Sequence, residues 1–194
     1  MGVSNVIEYV TMSSEGNATD FGDLAAARDN FGSCGNTTRG VFSGGFYVGL
    51  GTSGNTASNV IDYITIASTG NVTDFGDLTV GRQWVANGVA SSSTRGLTFG
   101  GYNSSSVYQN VIDYITIGST GNATDFGDLT SIRALIFSTS NATKAVCGRD
   151  SWIYDNNIDV VTIASTGNAT DFGDLVTGLR GQVGACGGQG GLTA

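Results

Sequence analysis

The sequence predicts an all-β fold built from repeats, and three observations predict it. The composition holds 31 Gly and no Pro, and no stretch is rich in the Ala, Leu, Glu and Lys that sustain helices. Two blocks of sequence recur four times in the same order. Within each recurrence, β-branched and aromatic runs alternate with Gly, Asn and Ser turns. Self-similarity at a period of about fifty residues marks an architecture in which each unit buries its apolar faces on its neighbours.

Each unit is expected to form four short strands. Asn5-Val6-Ile7-Glu8-Tyr9-Val10-Thr11 returns as Asn59-Val60-Ile61-Asp62-Tyr63-Ile64-Thr65 and as Asn110-Val111-Ile112-Asp113-Tyr114-Ile115-Thr116. It returns more loosely as Asn156-Asn157-Ile158-Asp159-Val160-Val161-Thr162. Its β-branched and aromatic content makes it the first strand. A Gly-Asn turn then reverses the chain, because both residues tolerate the positive φ of a tight hairpin. The second strand is Thr19-Asp20-Phe21-Gly22-Asp23, whose counterparts surround Phe75, Phe126 and Phe172 at intervals of 54, 51 and 46 residues.

A small-residue strand such as Val85-Ala86-Asn87-Gly88-Val89-Ala90 comes third. The fourth closes on a glycine doublet, as in Arg95-Gly96-Leu97-Thr98-Phe99-Gly100-Gly101 and Arg39-Gly40-Val41-Phe42-Ser43-Gly44-Gly45. Small side chains in one strand per unit suit the crowded axis of radially arranged sheets. The four units, about 1–45, 46–101, 102–148 and 149–194, form one domain over residues 1–194. Gly191-Leu192-Thr193-Ala194 aligns with Gly96-Leu97-Thr98-Phe99, so the two chain ends are expected to supply complementary halves of one sheet.

Composition also narrows the function. With 16 acidic residues against 8 basic ones, the formal net charge of -8 disfavours phosphate backbones and anionic membranes. The start of the chain lacks the basic and apolar regions of a secretory signal, and no later run is long enough to span a bilayer. Cys34, Cys147 and Cys186 are an odd count without metal-ligand spacing, and are expected as buried small side chains. There is no His, which excludes an imidazole base, a His-activated nucleophile and a His-ligated metal. No enzyme activity, catalytic residue, metal or other cofactor is expected.

The glycine doublet, the Asp-Tyr strand after it, the aromatic at Phe75 and the arginine at Arg82 resemble the kelch blade, at the kelch period. The likeness covers essentially the whole chain, with departures: Phe stands where kelch usually has Trp, the acidic residue precedes the Tyr, and Cys147-Gly148 replaces one doublet. It implies a kelch-like β-propeller of four blades, each of four antiparallel strands, closed by pairing the N- and C-terminal strands. The wording of the two blocks also resembles repeats in structural proteins of marine bacteriophages, notably tail and fibre components. That implies a non-enzymatic virion module, made in the host cytoplasm, that contacts a host surface glycan or other virion proteins through loops on one propeller face. Such a module belongs to an oligomeric assembly and has neither a nucleic-acid partner nor a membrane insertion. The alternative is a cellular kelch-type adaptor that captures a partner protein.

Charges keep the register of the repeat. Arg28, Arg82, Arg133 and Arg180 form one row, and Arg39, Arg95 and Lys144 another. Among the acids, Glu8, Asp62, Asp113 and Asp159 share a position, as do Asp20, Asp74, Asp125 and Asp171, and again Asp23, Asp77, Asp128 and Asp174. Each arginine is expected to fix one unit to the same or the next through an Asp. Calcium at Asp-x-x-Asp loops such as Asp74 and Asp77 is the alternative.

Where the units disagree, aromatics gather among Gly, Ser and Asn: Phe46 and Tyr47, then Tyr102 and Tyr108, then Trp152 and Tyr154. Rigid rings in such a setting give contact area at low entropic cost. These are the candidate binding residues, with the coverage of blade ends or a neighbouring subunit as the competing role. Trp84 lies outside these loops and fits either role. The Asn-x-Ser/Thr triplets at Asn17, Asn36, Asn71, Asn103, Asn122, Asn141 and Asn168 are read as turn asparagines.

Overall fold

In every unit of the computed structural model, which describes residues 3–47, 56–85, 90–148 and 156–176, the Ile-Asp-Tyr type of run pairs with the Thr-Asp-Phe-Gly-Asp run as an antiparallel hairpin. The chain forms β1 (Val6–Tyr9), β2 (Thr19–Asp23), β3 (Arg28–Asp29), β4 (Gly32–Gly35) and β5 (Arg39–Ser43). There follow β6 (Phe46–Tyr47), β7 (Thr56–Ala57), β8 (Val60–Thr65), β9 (Thr73–Asp77) and β10 (Arg82–Gln83). The third stretch adds β11 (Arg95–Phe99), β12 (Tyr102–Asn103), β13 (Gln109–Thr116) and β14 (Thr124–Arg133). The last strands are β15 (Phe137–Ser140), β16 (Lys144–Gly148), β17 (Asn157–Thr162) and β18 (Thr170–Asp174). Among the described residues there is no helix, and so none long and apolar enough to cross a membrane.

These strands make four principal sheets: β1-β2, β4-β5-β8-β9, β11-β13-β14 and β15-β16-β17-β18. A bridge from Ser91 to Gly96 marks the inner edge of the third sheet. Each larger sheet is an antiparallel meander offset by half a sequence unit. Its small-residue and doublet strands come from one unit, and its outer hairpin comes from the next. The pairing of the two chain ends expected from the sequence involves residues outside the described ones, as does most of the strand at 85–90. Two smaller sheets, β3-β6-β7 and β10-β12, lie where the doublet strands end.

A bulge recurs in every outer hairpin. Ile61 faces Gly76 while Asp62 faces Asp74, so Phe75 is the extra residue, and Phe21, Phe126 and Phe172 are skipped in the same way. The Asp beginning the bulge clasps it locally: Asp125 Oδ1 accepts from the Gly127 amide at 3.2 Å, and Asp171 Oδ1 from that of Gly173 at 2.9 Å.

Neighbouring sheets are joined through this bulge. The amides of Gly70, Gly121 and Gly167, each in the turn of one sheet, donate to the carbonyls of Phe21, Phe75 and Phe126 in the sheet before it, all at 2.7 Å. The following asparagines complete the joint. Asn71, Asn122 and Asn168 accept through Oδ1 from the amides of Asp23, Asp77 and Asp128 at 3.1, 3.1 and 3.0 Å. The recurrent Gly-Asn is thus a fastening between sheets as well as a turn. A Cβ on Gly22, Gly76 or Gly127 would run into the backbone of the next turn, and the φ of 148, 144 and 142° at these residues is already disfavoured for other residues.

Apolar side chains fill the space between consecutive sheets. Between the second and third, Cys34, Val41, Ile61 and Phe75 meet Ile115, Ile117 and Ala123. Between the third and fourth, Phe99, Ile112 and Phe126 meet Val161, Ile163 and Ala169. Burying each Phe or Ile of this kind contributes about 1.5–3 kcal/mol. Cys34 and Cys147 lie in this layer as expected for small buried side chains. Burial pushes the Cys34 thiol up to about 12 and raises that of Cys147 as well, which leaves both thiols protonated and unreactive. Cys186 lies outside the described residues.

Candidate functional site

Two constellations stand out, one charged and one aromatic. Arg28, Arg82 and Arg133 sit where the chain crosses from the outer strand of one sheet to the next sheet. Each guanidinium plugs into the sheet ahead. Arg82 Nη2 lies 2.6 Å from Asp113, and its Nη1 donates to the Val111 carbonyl at 2.8 Å. Arg28 Nη2 reaches Asp62 at 2.8 Å, and Arg133 Nη2 reaches Asp159 at 3.4 Å. Thr79 and Thr130 donate their hydroxyls to Asp113 and Asp159 at 2.6 and 2.7 Å.

All three pairs are shut off from water. Desolvation lowers the pKa of Arg28 and Arg82, against the opposing pull of Asp62 and Asp113, and it raises that of Asp62. Buried and paired, these charges hold one sheet against the next.

The arginines draw their partners from one of the three acidic rows. Asp20, Asp74, Asp125 and Asp171 are exposed, and among the described residues they form no ion pair. The bulge gives them another facing from the Asp62, Asp113 and Asp159 row, which receives the arginines. Arg180 lies outside the described residues. Asp74 and Asp77 belong to no group of three or more potential metal ligands among the described residues.

The second basic row is also interfacial. Arg39 lies over the Tyr63 ring at 4.4 Å and donates to the Ile117 carbonyl of the next sheet at 2.8 Å. Arg95 repeats this over Tyr114 at 4.6 Å, with the Ile163 carbonyl at 3.0 Å.

The aromatic constellation lies at the other register position. Trp84 stacks on Tyr102 with ring centres 5.1 Å apart, and Tyr102 meets Tyr108 edge-on, also at 5.1 Å. All three rings are half-exposed. The loop beneath is preorganised: Asn103 Oδ1 accepts from the amides of Ser105 and Val107, both at 3.0 Å, and Gln109 Nε2 donates to the Val107 carbonyl at 3.1 Å. Ser104 Oγ accepts from the Ala57 amide at 2.9 Å, which ties the loop to β7.

Trp84 has a φ of 52°, and the equivalent Asn30 and Leu135 have 54°. Their backbones form a ladder, the Trp84 amide donating to the Asn30 carbonyl at 3.0 Å and the Leu135 amide to that of Trp84 at 2.9 Å. The scaffold therefore imposes this left-handed conformation at each crossing. It suits Asn, whereas a bulky residue bears about 1–2 kcal/mol. The backbone does not ask for Trp here; its ring serves the stack.

The loop candidates thus divide. Tyr102 and Tyr108 come together, joined by Trp84, which belongs to no variable loop and was legible only as a departure from the repeat. Phe46 and Tyr47 are drawn into β6 between β3 and β7 and are half-buried. Trp152 and Tyr154 lie outside the described residues. The chain matches no protein-family model, and no curated protein matches it.

Proposed function

We propose that this chain is a non-enzymatic binding module of a virion, a tail or fibre component whose sheets are kelch-like propeller blades and whose aromatic face engages a host surface glycan. The observation that carries this reading is the half-exposed stack of Trp84 with Tyr102 and Tyr108, whose loop is already braced by its own hydrogen bonds. Amphipathic rings offer a flat apolar surface beside polar edges, and bracing lowers the entropic cost of capture. Asn103 and Ser104 in the loop between the two tyrosines add polar groups suited to hydroxyls. The buried charges offer no competing catalytic site among the described residues. The resemblance of the repeat wording to marine phage structural proteins favours the virion setting over a cellular adaptor. A four-bladed ring closed by its own terminal strands is the architecture that the kelch likeness implies.

A glycan array probed with wild type and with Trp84→Ala and Tyr102→Ala variants tests the ligand. Wild type is expected to bind a restricted set of glycans, and each variant to lose about two- to tenfold in affinity or more, since an aromatic stacking contact is worth about 0.5–1.5 kcal/mol beyond its area burial. Absence of any glycan signal, or equal binding by all three proteins, would overturn the glycan reading.

A further inference from the structure

We propose that the outer face of the fourth sheet docks the exposed hairpin of residues 10–19 from a second copy of this chain, joining copies head to tail. The proposal concerns assembly and does not depend on the glycan reading. It rests on a joint that the chain makes three times within itself.

At each internal joint the elements are the same. A bulge carbonyl accepts from the glycine of the next turn, an asparagine Oδ1 caps the amide two residues beyond the bulge Phe, and a third bond runs from Val72, Ala123 or Ala169 to Asp23, Asp77 or Asp128 at 2.9, 2.8 and 2.8 Å. The bulge phenylalanine is sealed under the incoming sheet: Phe75 and Phe126 are each 2 % exposed. At the second and third joints the incoming residue is sealed as well, with Ile117 at 0 % and Ile163 at 1 %, while its equivalent Ile66 at the first joint is 48 % exposed.

The fourth sheet carries the same half-joint, and among the described residues nothing lies on it. Its bulge has the same register, and Gly173 has a φ of 138°, yet Phe172 is 60 % exposed and a Cβ on Gly173 would meet no atom within 4 Å. The first sheet carries the complementary half. Met12, at the position of Ile66, Ile117 and Ile163, is 96 % exposed, twice the exposure of Ile66, and Val10 and the Gly16-Asn17-Ala18 turn are exposed with it. That turn is already shaped: Ser14 donates to the Thr11 carbonyl at 3.2 Å, as Ser68, Ser119 and Ser165 donate to Thr65, Thr116 and Thr162 at 3.1 Å.

The correspondence specifies the contacts. Gly16 and Ala18 of one copy donate to the carbonyls of Phe172 and Asp174 of the other, and Asn17 Oδ1 accepts from the Asp174 amide. Lys144, at the place of Arg39 and Arg95, reaches the Met12 carbonyl as those arginines reach Ile117 and Ile163. Among the described residues both halves are exposed in the same chain at once, and the proposal assigns a second copy, in place of closure within one chain, as the occupant. The surfaces are unlike, which makes the contact heterologous: copies add in one direction and form a ring or a filament according to the rotation between them.

Because the surfaces are unlike, each can be blocked separately. Ala18→Arg spoils the hairpin and Phe172→Asp spoils the receiving face, and both residues are exposed in a single copy, which spares the fold. In sedimentation velocity the wild type is expected to gain mass with concentration, while each variant alone stays monomeric. An equimolar mixture of the two variants is expected to form a dimer and nothing larger, since only one good interface can form. Amide exchange of the assembled wild type should show Gly16 and Ala18 protected like Gly121 and Ala123. Wild type that stays monomeric together with a mixture that forms no dimer overturns the proposal, whether the halves stay open or meet within one chain; so does dimerisation of either variant by itself.

Discussion

The Nε of Arg82 is buried without an acceptor, and so is that of Arg28, whereas Arg133 Nε donates to Ser131 Oγ at 2.8 Å. The difference lies two residues upstream of each arginine, where Ser131 is replaced by Val80 and Ala26. An unsatisfied buried donor costs about 1–3 kcal/mol. Val80→Ser is therefore expected to stabilise the protein by about 1 kcal/mol, read as a higher urea midpoint with unchanged slope; an equal or lower midpoint would show that Arg82 Nε is served in another way. The charge rows were legible at this scale because identical residues return at a fixed spacing. Which acidic row receives the arginines was not, because the bulge at Phe75 changes the facing of Asp74 relative to Asp62, and a bulge leaves no trace in a pattern of alternation.

At the scale of the element, the Thr-Asp-Phe-Gly-Asp strand serves its own hairpin and the next sheet together. Gly76 shows the double duty, with a φ of 144° and the backbone of the Gly121 turn against its Cα. Gly76→Ala is expected to cost about 1–3 kcal/mol through backbone strain and to loosen the second sheet from the third. Amide exchange tests this locally: Gly121 and Ala123 should lose protection, while the amides pairing β4 with β5 keep theirs. A uniform loss across the chain would show that the glycine serves general stability rather than the joint. The doublets follow the same logic. Gly44 and Gly100 have φ of 67 and 53°, and a Cβ there would stand 2.5 and 2.6 Å from the carbonyls of Arg82 and Arg133 on the next crossing. The doublet was legible as a strand end, but the neighbour that requires it comes from another unit.

At the scale of the molecule, each sheet leans on the sheets beside it, so stability is a sum of sheet terms and joint terms. The second and third sheets are packed on both sides. Among the described residues the first holds only β1 and β2, and Val6, Tyr9 and Val10 are exposed along it. In dilute solution Ile7 and Gly22 should exchange at least about tenfold faster than Ile61 and Ile112, because local openings range from near zero to the global free energy. Equal protection in a monomer would show that another part of the same chain covers β1, as the ring expected from the sequence requires. The aromatic stack also belongs to this scale, since Trp84 and Tyr102 come from opposite sides of the doublet strand β11.

The sequence by itself determined the β class, the four-fold repetition, the pairing of Ile-Asp-Tyr with Thr-Asp-Phe-Gly-Asp, and the placing of Cys34 and Cys147 in the core. These follow from side-chain chemistry over a few residues, where φ preference, β-branching and small size act locally. The tertiary structure alone decided that each sheet is shared between two units, that Gly-Asn fastens one sheet to the next, and that Trp84 joins Tyr102 and Tyr108. It also decided which carboxylates receive the arginines. These contacts link residues roughly twenty to fifty positions apart through a bulge and a left-handed crossing, and a single irregular residue redirects everything beyond it without altering the period that makes the repeat visible.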